Sequence, residues 1–143
     1  MRENMNETES LLPHRAPFLF VDEIVQANKE KIVAKHVFTE NEFFFKGHFP
    51  EYPVVPGVIL IETMAQSGGA GLRKTGVIGA DKLFFLAGVD KVKFRRQVRP
   101  GEEVRSEIIN LRISANTIKQ SGKAFVGEEI AAEAEWVCLV GKT

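Results

Sequence analysis

Residues 56–72 read PGVILIETMAQSGGAGL, a segment of helical length that carries no wide polar stripe. Proline is favoured in the first turn of a helix, so the pattern predicts a helix over Val58–Leu72 that begins at Pro56-Gly57. A helix that is apolar nearly all round is buried. Because a chain of 143 residues is small, it can bury such a helix only by wrapping a sheet around it.

Segments rich in β-branched and aromatic residues lie on both sides of this helix and predict strands. Two precede the helix as a predicted hairpin: Phe18–Val25 and Lys31–Phe38. Four follow it: Leu83–Phe94, Glu103–Ile113, Thr117–Val126 and Glu129–Val140. A short helix over Glu7–Leu12 and a loop over Thr39–Pro53 complete the elements. The order predicts an α+β fold, one domain over residues 1–143 with a polar segment at 1–10, in which an antiparallel sheet wraps one long central helix.

The composition excludes several classes of protein. Lys plus Arg number 19 and Asp plus Glu number 19, so no net charge attracts nucleic acid or an anionic membrane. The longest apolar stretch, Val54–Met64, is interrupted by Glu62 and falls short of the ~20 residues that span a bilayer. The N-terminus lacks the pattern of a secretory signal, and the lone Cys138 cannot form an intrachain disulfide. We therefore expect a cytoplasmic protein.

No metal or cofactor is expected from the residue pattern. The three histidines, His14, His36 and His48, lack the paired spacing of a zinc site. His36 alternates with apolar residues along its strand, which predicts a core or interface position. Cys138 lies beside Trp136 in an apolar strand, a setting typical of a core cysteine rather than a nucleophile.

Glu62 is the first candidate functional residue, because it interrupts the apolar helix. A carboxylate in such a setting is costly unless it is paired, hydrogen-bonded or protonated. It either performs chemistry, as desolvated carboxylates often do, or is a structural residue satisfied by the backbone or by Gln66. Gln66 follows four residues later, a spacing that places both side chains on one face of the helix.

His48 and Gly57 are two further candidates, both close to the start of the helix. His48 lies in Lys46–Pro50, a loop bracketed by glycine and proline, and loops on a rigid scaffold often carry catalytic groups. It is either an acid–base partner of Glu62 or a packed or solvent-facing imidazole. Gly57 occupies the first helical turn, where backbone N–H groups lack acceptors, so its amide either stabilises an oxyanion or polarised carbonyl or simply starts the helix.

A basic cluster occupies the end of the third predicted strand, with Asp90 as its neighbouring acid. Its members are Lys91, Lys93, Arg95, Arg96 and Arg99. The cluster is either the solvated face of a strand, where charge discourages edge pairing, or a docking surface for an acidic partner.

Longer motifs connect these candidates. They are Leu12-Pro13-His14-Arg15-Ala16-Pro17-Phe18-Leu19, Gly47-His48-Phe49-Pro50-x-x-Pro53-Val54-x-Pro56-Gly57-Val58, Glu62-x-x-Ala65-Gln66 and Lys93-Phe94-Arg95-Arg96-x-Val98-x-Pro100-Gly101. Together they closely resemble the (3R)-3-hydroxyacyl-[acyl-carrier-protein] dehydratase family of dissociated fatty acid synthesis. The resemblance runs from about Leu11 to Val140, with small departures at Glu51, where Gly is common, and Thr63, where Ala is common.

The resemblance implies the hot-dog fold and a catalytic pair, His48 and Glu62, that comes from different subunits of a homodimer. It also implies a set of substrate-binding residues: Gly57, Gln66, Phe49 and Val58. The implied substrate is a 3-hydroxyacyl thioester on the phosphopantetheine of an acidic acyl carrier protein, which docks on Arg95 and Arg96. No cofactor or metal is implied, and the implied assembly is a homodimer that forms a hexamer as a trimer of dimers.

Two other functions stay open on the sequence. A hot-dog thioesterase would use a carboxylate to activate water and would not need a histidine in a Gly-His-Phe-Pro loop. A non-catalytic acyl-binding module would keep an apolar tunnel and a basic patch but could dispense with His48 or Glu62.

Overall fold

The computed structural model describes residues 6–142, so residues 1–5 of the predicted polar segment lie outside it. The helical elements are α1 (Glu7–Leu11), α2 (Gly57–Lys74) and a short 3₁₀ helix over Phe43–Lys46. The strands are β1 (Glu23–Ala27), β2 (Lys31–Val37), β3 (Lys82–Phe94), β4 (Glu103–Ile113), β5 (Thr117–Val126) and β6 (Glu129–Lys142). The central helix therefore begins and ends close to the bounds that the apolar pattern predicts.

The six strands form one antiparallel sheet in the order β1-β2-β4-β5-β6-β3. The sheet curls around α2, which contacts each of its six strands. This arrangement is the hot-dog fold, so the predicted α+β architecture is confirmed. In the part of the chain from residue 6 to residue 142, no helix is long and apolar enough to cross a membrane.

Small residues set the spacing between the helix and the sheet. A Cβ atom added at Gly71 of α2 would lie 2.6 Å from the fully buried Ile32 of β2. A Cβ atom added at Gly122 of β5 would lie 2.5 Å from the indole of Trp136. The indole has no freedom to retreat, because its Nε1 donates to Gln120 Oε1 at 3.0 Å inside the core. Close packing at these positions therefore requires glycine.

The first strand begins later than the sequence predicts, at Glu23 rather than Phe18. The physical reason is that the preceding segment bonds to a side chain of α2 instead of a neighbouring strand. The Phe20 N–H donates to Gln66 Oε1 at 2.8 Å, and the Phe18 C=O accepts from Gln66 Nε2 at 3.1 Å. These buried backbone groups are thereby satisfied without a sheet partner.

Two neighbouring apolar surfaces stay uncovered in the protomer. β3 is an edge strand, and its Phe85 and Phe94 side chains are 58 % and 54 % exposed. At the start of α2, Val58 is 69 % exposed. An unpaired strand edge that carries apolar side chains is a template for pairing with another chain.

Candidate active site

His48 is held by hydrogen bonds from both ends of its own loop. The N–H groups of Gly47 and His48 donate to the Phe44 C=O at 3.1 and 2.9 Å. Val54 closes the loop, since its N–H donates to the His48 C=O at 3.1 Å and its C=O lies 3.1 Å from His48 Nδ1. A carbonyl only accepts hydrogen bonds, so Nδ1 carries the hydrogen and Nε2 of the neutral ring keeps a free lone pair. Nε2 is therefore available as a general base.

The His48 loop borders a cleft of about 540 Å³ at the N-terminal end of α2. Residues singled out from the sequence line it: His48, Phe49, Gly57, Val58, Arg95 and Arg96. The Gly57 N–H, in the first turn of α2, has no acceptor among the hydrogen bonds of residues 6–142. A side chain has no room there, because an added Cβ atom would lie 2.8 Å from the Phe94 ring. The cleft thus combines a base with a backbone donor at a helix N-terminus.

Glu62 and Gln66 pair along one face of α2, as their spacing predicts. Gln66 Nε2 donates to Glu62 Oε2 at 3.0 Å. The Phe20 N–H donates to the other end of the same amide, which fixes the amide orientation. Burial raises the pKa of Glu62 above its ordinary value, although the hydrogen bond from Gln66 opposes the shift. Burial therefore stabilises the acid form of Glu62 relative to that of an exposed carboxyl group, which suits Glu62 to donate a proton.

Two further side chains lie close to Glu62. His14 Nε2 is 3.6 Å from Glu62 Oε2. Burial and the nearby charge of Arg15 lower the pKa of His14, and both causes favour the neutral form of the imidazole beside Glu62. Burial and the Glu62 charge raise the pKa of the Cys138 thiol to about 11, which makes it a poor nucleophile at neutral pH. The structure thus confirms the core position predicted for Cys138.

His14 is the site neighbour that sequence reasoning missed. The Leu12–Leu19 motif, which contains His14, is the signal in the sequence, but the motif assigns no role to this residue. The motif alone does not tell that this segment folds against the face of α2 that carries Glu62. That placement comes from the Gln66 bonds to Phe18 and Phe20.

His48 and Glu62 lie in separate places within one protomer. Across residues 6–142, no hydrogen bond or ion pair joins them. Glu62 and Gln66 also do not line the cleft that contains His48. One protomer therefore presents the base beside Gly57, and the carboxyl group beside Gln66 and His14.

Arg95 and Arg96 border the cleft, and each is paired within the chain. Arg95 Nε lies 3.1 Å from Glu133, and this guanidinium stays half-exposed. Arg96 donates to both carboxylate oxygens of Glu102 at 2.9 and 2.8 Å and to Glu129 at 3.2 Å. The hydrogen bonds from Arg96 lower the pKa of Glu102. Arg96 is thus fixed in place, whereas Arg95 is the more accessible cation.

No cluster of side chains within residues 6–142 is arranged to hold a metal ion, which requires three or more His, Cys, Asp or Glu ligands together. The three histidines contact different partners: Glu62 for His14, Asp22 and Glu42 for His36, and Val54 for His48. His36 is buried, as its alternation with apolar residues predicts.

A hot-dog fold with a histidine in a cleft, a free helix-terminal N–H and a carboxyl group of raised pKa has features typical of the class of general acid–base enzymes. Comparison with known families identifies the family within that class. Residues 12–135 match the FabA-like domain family. The chain belongs to this family, and its resemblance to the dehydratases is confirmed.

Curated relatives match over nearly the whole chain. The 3-hydroxyacyl-[acyl-carrier-protein] dehydratase FabZ of Desulforamulus reducens is 45 % identical over 141 residues, which cover 97 % of this chain and 98 % of the relative. The proteins of the same name from Koribacter versatilis and Petrotoga mobilis are each 43 % identical. These matches cover 96 % and 98 % of this chain and 88 % and 99 % of the relatives, respectively.

Solved structures agree on the fold. The dehydratase heterocomplex ApeI:P from Xenorhabdus doucetiae matches with a TM-score of 0.78 at 15 % identity, covering 98 % of this chain and 94 % of that one. The uncharacterized protein PH1136 from Pyrococcus horikoshii matches with a TM-score of 0.69 at 12 % identity, covering 97 % of both chains. At these identities the likeness supports the shared hot-dog architecture alone.

We expect the Gln66→Leu substitution to raise the pKa of Glu62 further. Leucine removes the N–H donor that stabilises the carboxylate, while the burial that favours the acid form remains. The measurement is a pH titration of the Glu62 carboxyl carbon by NMR, with Glu62→Gln to assign its signal. Gln26→Leu, the same change at an exposed position of β1, is the matched control. An unchanged or lowered pKa in Gln66→Leu would contradict this account of the site.

Proposed function

We propose that this chain dehydrates (3R)-3-hydroxyacyl groups on acyl carrier protein to trans-2-enoyl groups, in cytoplasmic fatty acid biosynthesis. The observation that carries the proposal is the His48–Val54 hydrogen bond, since it directs the lone pair of the neutral imidazole to Nε2, in a cleft with the free Gly57 N–H. Membership of the FabA-like family and the similarity to FabZ dehydratases support the same reaction. The lone buried Cys138 suits a reducing compartment.

His48 acts as the general base of the first step. Its Nε2 takes the proton from the α-carbon, and the C–H electron pair moves toward the thioester carbonyl to form an enolate. The Gly57 N–H donates to the carbonyl oxygen as negative charge accumulates there. Phe49 and Val58, both exposed at the cleft, provide apolar contacts for the acyl chain.

Glu62 assists the loss of water in the second step. Its acid form gives a proton to the 3-hydroxyl group while the enolate electrons form the carbon–carbon double bond and the C–O bond breaks. Burial favours this acid form, and Gln66 orients it from one turn away. Proton transfer from the His48 imidazolium to the Glu62 carboxylate, through water, restores both groups.

The complete site in this proposal forms between two copies of the chain. The separation of His48 from Glu62 within one protomer supports it, as do the exposed Val58 and Phe94 beside the His48 cleft. A second copy that pairs with the edge of β3 and covers the start of α2 brings its own Glu62 toward this cleft. Three such dimers form the hexamer that we propose.

Arg95 and Arg96 serve in this proposal as the docking site for the acidic carrier protein. Both border the cleft, so a carrier bound there delivers its phosphopantetheine arm toward His48. The ion pair of Arg96 with Glu102 holds that guanidinium at the rim. Arg95 is exposed enough to exchange Glu133 for a carboxylate of the carrier.

The purified chain is expected to interconvert a 3-hydroxybutyryl thioester and its crotonyl counterpart, which enoyl absorbance follows in both directions. General acid–base catalysis typically contributes about 10²–10⁴-fold, so kcat should fall at least that far in His48→Ala and in Glu62→Gln. Glu128→Gln, the same carboxylate-to-amide change at an exposed turn, should keep its kcat.

Two outcomes of this assay would overturn the dehydratase proposal. Release of free thiol without an enoyl signal would favour a thioesterase. Binding of the acyl thioester without any turnover would favour an acyl-binding module.

Inactive His48→Ala and Glu62→Gln chains are expected to regain activity when they are mixed, denatured and refolded together. A mixed dimer contains one intact site, so random pairing of equal amounts restores about a quarter of the wild-type activity. Each variant refolded alone is the control, and light scattering reports the size of the assembly. If the mixture stays inactive while wild-type chains recover, the shared site is wrong.

Arg95→Ala is expected to raise KM for the carrier-protein thioester by up to about fivefold, the range of an exposed charge pair. The KM for the same acyl group on free pantetheine should not change, because that substrate lacks the carrier protein that Arg95 would contact. Lys29→Ala, which removes an exposed charge at the turn between β1 and β2, is the control. Equal effects on both substrates would assign Arg95 to the cleft rather than to docking.

A further inference from the structure

We propose that His36 is a positioning residue that fixes the His48 loop through Glu42. The inference rests on the proposed function, in which His48 is the base, yet the contacts that carry it lie outside the cleft. His36 is a residue of β2 whose side chain is only 7 % exposed. Neither step of the reaction uses it.

Both ring nitrogens of His36 face carboxylate oxygens. Nδ1 lies 2.9 Å from Asp22 Oδ1, and Nε2 lies 3.0 Å from Glu42 Oε2. An ionised carboxylate only accepts hydrogen bonds, and a neutral imidazole has one N–H to give. The ring therefore makes both bonds at once when both of its nitrogens carry hydrogen, and it then bridges the two carboxyl groups.

The Asp22 end of the bridge is anchored in the sheet. Asp22 Oδ2 accepts from the Val37 N–H at 2.7 Å, and the Asp22 N–H donates to the Lys35 C=O at 2.8 Å. Burial raises the pKa of Asp22, but the hydrogen bonds from His36 and from the Val37 N–H outweigh this and lower it. The carboxylate is thus ionised and held, so it fixes one side of the imidazole ring.

The Glu42 end of the bridge lies beside the 3₁₀ helix that leads into the His48 loop. Glu42 immediately precedes the 3₁₀ helix Phe43–Lys46, and its side chain makes no capping hydrogen bond to that helix. The side chain is 13 % exposed, and its Oε2 is directed at His36 instead. A buried carboxylate that loses its donor carries a large desolvation penalty. The hydrogen bond with His36 therefore fixes the position of the Glu42 side chain.

The backbone transmits the position of Glu42 to His48. The Glu42 C=O accepts from the Phe45 N–H at 3.2 Å and so starts the 3₁₀ helix. At the other end of this helix, the Phe44 C=O accepts from the N–H groups of Gly47 and His48. A shift of Glu42 moves the helix as a unit, because it is only one turn long, and His48 moves with it.

An apolar cage surrounds the His36 ring, whereas the Asp22 carboxylate at one end of the bridge is half-exposed. The rings of Phe38 and Phe20 lie 4.5 and 5.8 Å from the His36 ring, centroid to centroid. Both also contact Phe44 of the 3₁₀ helix, at 6.0 and 6.1 Å. Hydrogen bonds between charged groups are strong in such surroundings, and an unpaired charge is costly there.

The other charged groups near β2 have partners elsewhere. His36 on β2 lies opposite Val104 on β4. Lys35 and Glu103, which flank these two residues, pair with each other. Arg105 pairs with Glu107 on the same strand. The charged residues of α2 also bond away from His36: Glu62, Arg73 and Lys74. Asp22 and Glu42 are therefore the two carboxylates that hydrogen-bond to His36.

The test is a double-mutant cycle with His36→Leu and Glu42→Leu, read by hydrogen–deuterium exchange and by kinetics. His36→Leu should speed amide exchange in residues 43–50 while the β5–β6 hairpin stays protected. It should lower kcat by about tenfold or more and leave KM nearly unchanged, because a base displaced by a fraction of an ångström works poorly. In the Glu42→Leu background, His36→Leu should have no further effect on either readout.

Lys35→Leu is the matched control, because it changes the residue next to His36 on β2, which pairs with Glu103 instead, and should leave residues 43–50 protected. Glu42→Gln, which keeps the side-chain shape and removes the charge, replaces His36→Leu if that variant does not fold. Unchanged exchange at 43–50, a uniform rise along the chain, or additive effects in the double variant would each overturn the inference. Exchange does not depend on substrate, so wild-type protein without dehydratase activity would refute the proposed function and leave this test intact.

Discussion

The buried amide of Gln66 is the interaction on which the rest of this structure depends. Its oxygen accepts from Phe20, and its nitrogen donates to Phe18 and to Glu62. One side chain therefore replaces a strand partner for the segment before β1 and holds the candidate acid on α2. A buried amide must have its hydrogen bonds satisfied, so displacement of either partner is penalised. The Phe20 ring extends this link, because it packs against both His36 and Phe44.

The burial of Glu62 in this arrangement lowers the free energy of unfolding by an amount that depends on pH. Burial raises its pKa above the ordinary 4.5, so the folded chain holds this proton to higher pH than the unfolded chain does. The contribution of Glu62 to the free energy of unfolding therefore falls as pH rises from about 4.5 through the raised pKa. Asp22 behaves in the opposite way: its lowered pKa adds stability above its ordinary 3.8, and that stability is lost as pH falls through the lowered value. The fold thus keeps a destabilising carboxyl group at Glu62 and a stabilising carboxylate at Asp22.

The sequence predicted the elements well because they follow from periodicity and composition. The apolar run at 56–72 and the six β-rich segments are local patterns, and the structure contains each of them. The start of β1 was not predictable, because Phe18 and Phe20, which precede it, bond to a side chain that is distant in sequence. The pairing of Glu62 with Gln66 was predictable from helical spacing, whereas the contact with His14 depends on how the N-terminal segment folds back. The His36 bridge was hidden for the same reason: Asp22 and Glu42 approach the ring from two different loops.

Helix geometry explains why a single copy is poorly suited to complete the reaction. Gly57 and Glu62 are five residues apart in α2, which puts them about 7.5 Å apart along the axis and about 140° apart around it. The thioester carbonyl and the 3-hydroxyl group of a substrate are separated by only two carbon–carbon bonds. A substrate whose carbonyl accepts from the Gly57 N–H therefore directs its hydroxyl group away from the Glu62 of the same helix. The proposed dimer, with its twofold axis beside the start of α2, meets this requirement for both copies, since in it each helix faces the cleft of the other. On this argument, the exposed Val58 and the open edge of β3 are the surfaces that a second chain must cover before acid and base can meet.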